Sequence, residues 1–148
     1  MRLLLDSSAV IVLAGRTIDK RALEGVGLSE NGVDYAALSA VSLDELMRSV
    51  PLAKSASERA RRLALVERLS TGMDVLPVDL LVVRLHVELW RPERFKSSRP
   101  AKREEKQGAA AVVAGWVAAT ALVHHLEVLT AQASLYEGMK GLSVRSLK

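Results

Sequence analysis

The sequence predicts an α/β domain built in three layers, α/β/α, around a central parallel sheet of four or five short strands. Three observations lead there. Short apolar runs alternate with helical segments from one end of the chain to the other, the pattern of a parallel sheet covered on both faces. Two of those runs stop at residues suited to cap a following helix, Asp6-Ser7-Ser8 and Ser42. The chain has 148 residues, 49% hydrophobic and 26% charged, a balance that excludes a disordered or collagen-like protein. At this length about two-thirds of the unfolded surface is buried in one core, so residues 1–148 are read as a single domain.

The elements follow in order. Residues 2–5 (RLLL) form a buried strand, Asp6 to Ser8 caps the next segment, and AVIVLAG is a short apolar helix ended by Gly15. Residues 17–30 carry a weak helical pattern, and Asn31-Gly32 marks a turn. YAALSAV (35–41) is the second strand, with Ser42 capping a helix over LDELMRSVPLA. Residues 57–69 make an amphipathic helix with Leu63, Val66 and Leu69 on one side. A short strand at 73–76 precedes a helix over 78–90. Residues 108–126 read as a long apolar helix, followed by the strand EVLT, a short helix over 131–139 and a last strand in LSVRSL.

Composition excludes several functions. Cys is absent, so there is no disulfide framework, thiolate zinc site or Cys nucleophile. The aromatics are Tyr35, Trp90, Phe95, Trp116 and Tyr136, too few for a base-stacking platform. Gly25 to Gly32 lacks phosphate-loop spacing. His124 and His125 are adjacent and point about 100° apart on a helix, so they do not share a metal. Residues 108–126 are uncharged, about 28 Å as a helix, but the Ala and Gly content favours a core helix over a membrane span. The start MRLLLDSS carries an acid at position 6 and is not a signal peptide. A soluble, cytoplasmic protein is expected.

In an open parallel sheet, ligands collect at the carboxyl ends of the strands. Asp6 and Glu45 stand there on this reading. Clustered carboxylates repel each other, so a shared site implies a cation between them, and hard oxygen donors favour Mg²⁺ or Mn²⁺. Such a metal activates water for phosphodiester hydrolysis. Each acid also has a purely structural explanation. Asp6 suits an N-cap, and Ser42-Leu-Asp-Glu45 matches a capping box in which Glu45 bonds back to the backbone of Ser42.

Three blocks carry a family resemblance. LLLDSSAVIVLAG resembles the opening of a PIN domain, LSAVSLDELMRS its second block, and GWVAATALVHHLEVLT its third. The final GLSVRSL is similar to the family's last strand, so the resemblance spans residues 1–148 in order. It is closest to the VapC-type toxins of toxin–antitoxin pairs. The resemblance implies a Mg²⁺-dependent (or Mn²⁺-dependent) ribonuclease held in check by an antitoxin, with RNA as substrate and a homodimer as assembly. It places Asp6 and Glu45 as catalytic metal ligands, Ser8 as support for Asp6, and Thr130 as a hydroxyl at the site's edge. Gln132 could offer a carbonyl oxygen.

The departures bear on activity. Ala114 and Leu135 stand where the family has Asp, and no Asp occurs beyond Asp79. Half of the acidic quartet implied by the resemblance is missing, so impaired catalysis is expected, and the alternative is a catalytically inactive PIN-fold module that binds RNA or a partner protein. Glu104 and Glu105 are possible substitutes. Residues 91–106 hold seven basic and three acidic groups, the whole net excess of +4. This run reads either as a solvated loop or frayed helix end, or as a phosphate-contacting strip in which Arg99, Lys102 and Arg103 bind RNA.

Overall fold

The computed structural model describes residues 1–14, 32–90 and 101–147, without the side chains of 101–107. Five strands pair in parallel: β1 (Arg2–Leu5), β2 (Tyr35–Ser39), β3 (Asp74–Leu76), β4 (Glu127–Thr130) and β5 (Val144–Ser146). Their order is β3-β2-β1-β4-β5. The chain therefore winds outward from β1 in one direction, then crosses back to lay β4 on its other side. That reversal makes a switch point between β1 and β4, where the loops leaving the two strands part and open a crevice.

Alternation along the strands sorts the core into two layers. Leu3 and Leu5 of β1, Leu38 of β2 and Leu129 of β4 face one way. They pack on Ala9, Val10 and Leu13 of α1 (Ser7–Leu13), Leu46 of α2 (Ala40–Ser49), and Val66 and Leu69 of α3 (Ala56–Gly72). Leu4, Ala37 and Val128 face the other way, onto Ala114, Val117, Ala118 and Ala121 of α5 (Ala101–His124). The expected three-layer architecture with a five-stranded parallel sheet is present.

Local boundaries differ from the sequence reading in instructive ways. β2 ends at Ser39, and Ser39 rather than Ser42 caps α2, accepting the Ser42 N–H at 3.0 Å. Register decides this: Leu5 pairs with Leu38, so the strand is used up at the sheet's edge three residues before the expected cap. The capping box from Ser42 to Glu45 therefore does not form. On α3, Leu63 is exposed and Leu65 packs against the core in its place. The helix expected over 131–139 is only a 3-10 turn, Ala133–Tyr136, followed by the left-handed Gly138 and Gly141.

From Ala101 the basic run is helical and continuous with the apolar segment, not a loop, because Lys, Arg, Glu and Gln favour helix and neither Pro nor Gly interrupts 101–107. Residues 91–100, with Arg99, lie outside the described residues, as do the helical pattern over 17–30, Gly15 and Asn31. No helix among the described residues is long and apolar enough to cross a membrane.

The helix α4 (Leu80–Leu89), capped by Asp79, lies against α5. His86 of α4 stacks on Trp116 of α5, ring centroids 3.6 Å apart and planes 1° from parallel. Trp116 is thus half-buried under His86 rather than deep in the core, and partial burial lowers the His86 pKa. Gly115 makes room for this stack: a Cβ there would meet His86 Nε2 at 3.1 Å. Gly115→Ala should therefore cost stability up to about 2 kcal/mol, since overpacking of about 1–3 kcal/mol outweighs the helix-propensity gain of about 1 kcal/mol. Urea unfolding checks this, and in a His86→Ala background the same change should become stabilising.

Candidate functional site

Asp6 directly follows β1 and is 5% exposed. It caps α1, its Oδ1 accepting the Ala9 N–H at 2.8 Å. The same oxygen accepts the Ser8 hydroxyl at 2.7 Å, and Oδ2 accepts the Tyr136 hydroxyl at 3.0 Å. Asp6 is thus the cap of α1, and it also lines a cleft at the strand end.

Glu45 reaches the same cleft from α2. Freed from any capping box, its Oε2 accepts the Ser7 hydroxyl at 2.6 Å. The successive serines at the start of α1 point about 100° apart, so Ser7 serves Glu45 while Ser8 serves Asp6. The cleft has a volume of about 50 Å³, room for no more than a few waters. Asp6, Glu45, Ala114, Gln132, Leu135 and Tyr136 are among the residues that line it.

Thr130, at the end of β4, is fully buried. It touches the site through Ser8, hydroxyl to hydroxyl at 3.2 Å, and accepts the Gln132 N–H at 2.9 Å. Ser8 also accepts the Ala131 N–H at 3.0 Å. One serine therefore clamps the first turn of α1 to the end of β4, across the switch point. Gln132 is exposed at the rim. Lys102 and Arg103 sit in the first turns of α5, with side chains outside the description, as are those of Glu104 and Glu105.

Sequence reasoning gave no role in the site to Ser7 or Tyr136. The doubled hydroxyl after Asp6 was the available signal for Ser7. No local pattern marks Tyr136, which lies 130 residues from its partner. Burial first, then the charge of Asp6 and the hydrogen bond to it, then the charge of Glu45, push the Tyr136 phenol far above its ordinary pKa. It stays protonated and donates.

A resident Mg²⁺ does not fit this donor set as it is arranged. Both Asp6 oxygens already carry donors, the described Glu45 contact is another hydroxyl, and buried Ala114 supplies neither charge nor oxygen. Among the described residues no group of three or more His, Cys, Asp or Glu could hold a metal ion.

Comparison with known proteins supports the fold. A structure of VapBC-5 from Mycobacterium tuberculosis, of the VapBC family of toxin–antitoxin systems, is similar at 26% identity over 100% of this chain and 99% of that one, with a TM-score of 0.63. VapBC2 from Rickettsia felis, bound to a DNA fragment from its promoter, is similar in fold at 14% identity over 100% of both chains, TM-score 0.66. FitAcB from Neisseria gonorrhoeae is similar at 23% identity over 96% of this chain and 95% of that one, TM-score 0.61. No family model and no curated protein sequence matches the chain. The parallel sheet, its switch point and the cleft define an α/β protein of PIN-like fold. Within that class it has the architecture of the VapC-type toxin–antitoxin structures.

The clamp is testable. Ser8→Ala should leave Asp6 short of one donor and the Ala131 N–H without its acceptor. The cost should be about 1–3 kcal/mol in urea unfolding, and a loss below about 0.5 kcal/mol would mean that water replaces the hydroxyl.

Proposed function

We propose that this chain is the toxin component of a toxin–antitoxin pair, a PIN-type ribonuclease-like protein in which hydrolysis of RNA is impaired. The observation that carries this reading is the cleft at the β1–β4 switch point. It gathers Asp6 and Glu45, which the resemblance marks as metal ligands, beside Ala114, where the resemblance expects a third acid. The partner is an antitoxin protein, as in the complexes whose structures the chain resembles over its full length. The homodimer implied by the resemblance is checked by light scattering.

Mg²⁺ or Mn²⁺ would reach Asp6 and Glu45, with Gln132 at the rim, on rearrangement of the hydroxyl donors they now carry, and the missing carboxylate makes such binding weak. Ser8 and Thr130 position Asp6 through the clamp. The second reading, a module that binds RNA or a partner without chemistry, is favoured by the phenol already bonded to Asp6.

Ala114→Asp tests the first reading. Restoring a carboxylate at the cleft should tighten Mn²⁺ binding and raise both RNA cleavage and growth arrest when the chain is expressed without its partner. A folded variant that binds Mn²⁺ more tightly yet cleaves no RNA and arrests no growth would overturn the toxin reading. Strong cleavage by the unaltered chain, lost in Asp6→Asn, would overturn the impairment.

RNA binding has its own readout. Each single-strand phosphate neutralised contributes about 0.7 to the slope of log affinity against log salt. Replacing Arg99, Lys102 and Arg103 together with Gln should flatten that slope by about 2. An unchanged slope would remove these residues from the RNA surface.

A further inference from the structure

We propose that Tyr136 stands in for the cation at Asp6: its phenol donates to Oδ2, and a divalent ion entering the cleft competes with it there. This rests on the reading of the cleft as a PIN-type site and says what now occupies it.

The geometry carries the inference. Asp6 Oδ1 is taken by the Ala9 N–H and the Ser8 hydroxyl, so a cation must approach through Oδ2 or break the cap of α1. Oδ2 is where the Tyr136 hydroxyl sits, at 3.0 Å. Tyr136 is 4% exposed and packs with Leu4, Ala37 and Ala114 of the core. A buried hydroxyl must find a partner, and Asp6 is the one it has.

Hydroxyl donors recur across the cleft. Ser7 on Glu45, Ser8 on Asp6 and Tyr136 on Asp6 give three neutral donors to two carboxylates. Neutral donors can satisfy a pair of acids, whereas a third carboxylate at position 114 would add repulsion that a cation or a shared proton must relieve. Ala114 and Tyr136 line the same small space, and together they form one metal-independent solution.

Two roles for Tyr136 make opposite predictions. If the phenol competes with a cation, removing the hydroxyl frees Oδ2 and Mn²⁺ binds more tightly. If it only orients Asp6 toward a cation, removing it loosens the carboxylate and Mn²⁺ binds more weakly.

The experiment titrates the full chain, Tyr136→Phe and Tyr136→Phe with Asp6→Asn with Mn²⁺, by calorimetry and by thermal melts with Mn²⁺ or with chelator. The expected result is at least about ten-fold tighter Mn²⁺ binding by Tyr136→Phe. Its melting point should fall by several degrees in chelator and be recovered by Mn²⁺, and both effects should vanish with Asp6→Asn. Equal or weaker Mn²⁺ binding by a folded Tyr136→Phe overturns the proposal.

Should that variant not fold, the unaltered chain labelled at tyrosine rings and at backbone amides is titrated with Mg²⁺ and followed by NMR. A shift of the Tyr136 ring signal as the ion binds supports displacement, and an unmoved ring while the Ala9 amide shifts overturns it. Growth arrest by Ala114→Asp is read separately, so the toxin reading can fail while the Mn²⁺ comparison stands.

Discussion

A carboxylate buried at the end of the central strand imposes the constraint on which the rest of this structure depends. Leaving Asp6 at 5% exposure without partners would cost several kcal/mol. Its donors come from separate parts of the fold: Ala9 and Ser8 from the first turn of α1, and Tyr136 from the 3-10 turn after β4. To deliver them together, α1 must start immediately after β1, and the chain must return beside β1 before turning back under the strand end. The Asp6 N–H donates to Leu129 O at 3.1 Å, which joins β1 and β4 at the same point. Packing sets the layers, but this junction sets where the strands end relative to one another.

Much of this was legible in the sequence because it is local. RLLL at 2–5 and EVLT at 127–130 are strands where expected. The Ala-rich stretch that starts at 108 is a core helix, its small residues facing Leu4 and Val128. Asp6 was legible as a cap, and it also lines the cleft.

The misread parts are those decided by register or by distant partners. Ser39 and Ser42 are both good caps, and the S-x-x-E pattern favours the second on local grounds. Pairing of Leu5 with Leu38 selects the first. The consequence is functional: had Ser42 capped the helix, Glu45 would be spent on the backbone, whereas the earlier start turns it toward Ser7 and the cleft. Likewise, the choice between Leu63 and Leu65 depends on how α3 is rotated against the sheet, which helical spacing in the sequence leaves open.

Ala114 belongs to the core and to the cleft at once. It is 2% exposed, packed with Leu4 and Val117, and it lines the space beside Asp6 and Glu45. An acid in that place would be a third carboxyl in a volume of about 50 Å³, tolerable with a cation to bind it or a proton shared among the three. A methyl group there removes the charge and completes the apolar contact with the sheet. It leaves two acids, which hydroxyl donors from α1 and the 3-10 turn can satisfy. If Tyr136 stands in for the cation, the methyl group at position 114 and the phenol on Asp6 are coupled, because each suits a cleft with two carboxylates rather than three. The Ser8 hydroxyl that bonds Asp6 also clamps α1 to the end of β4.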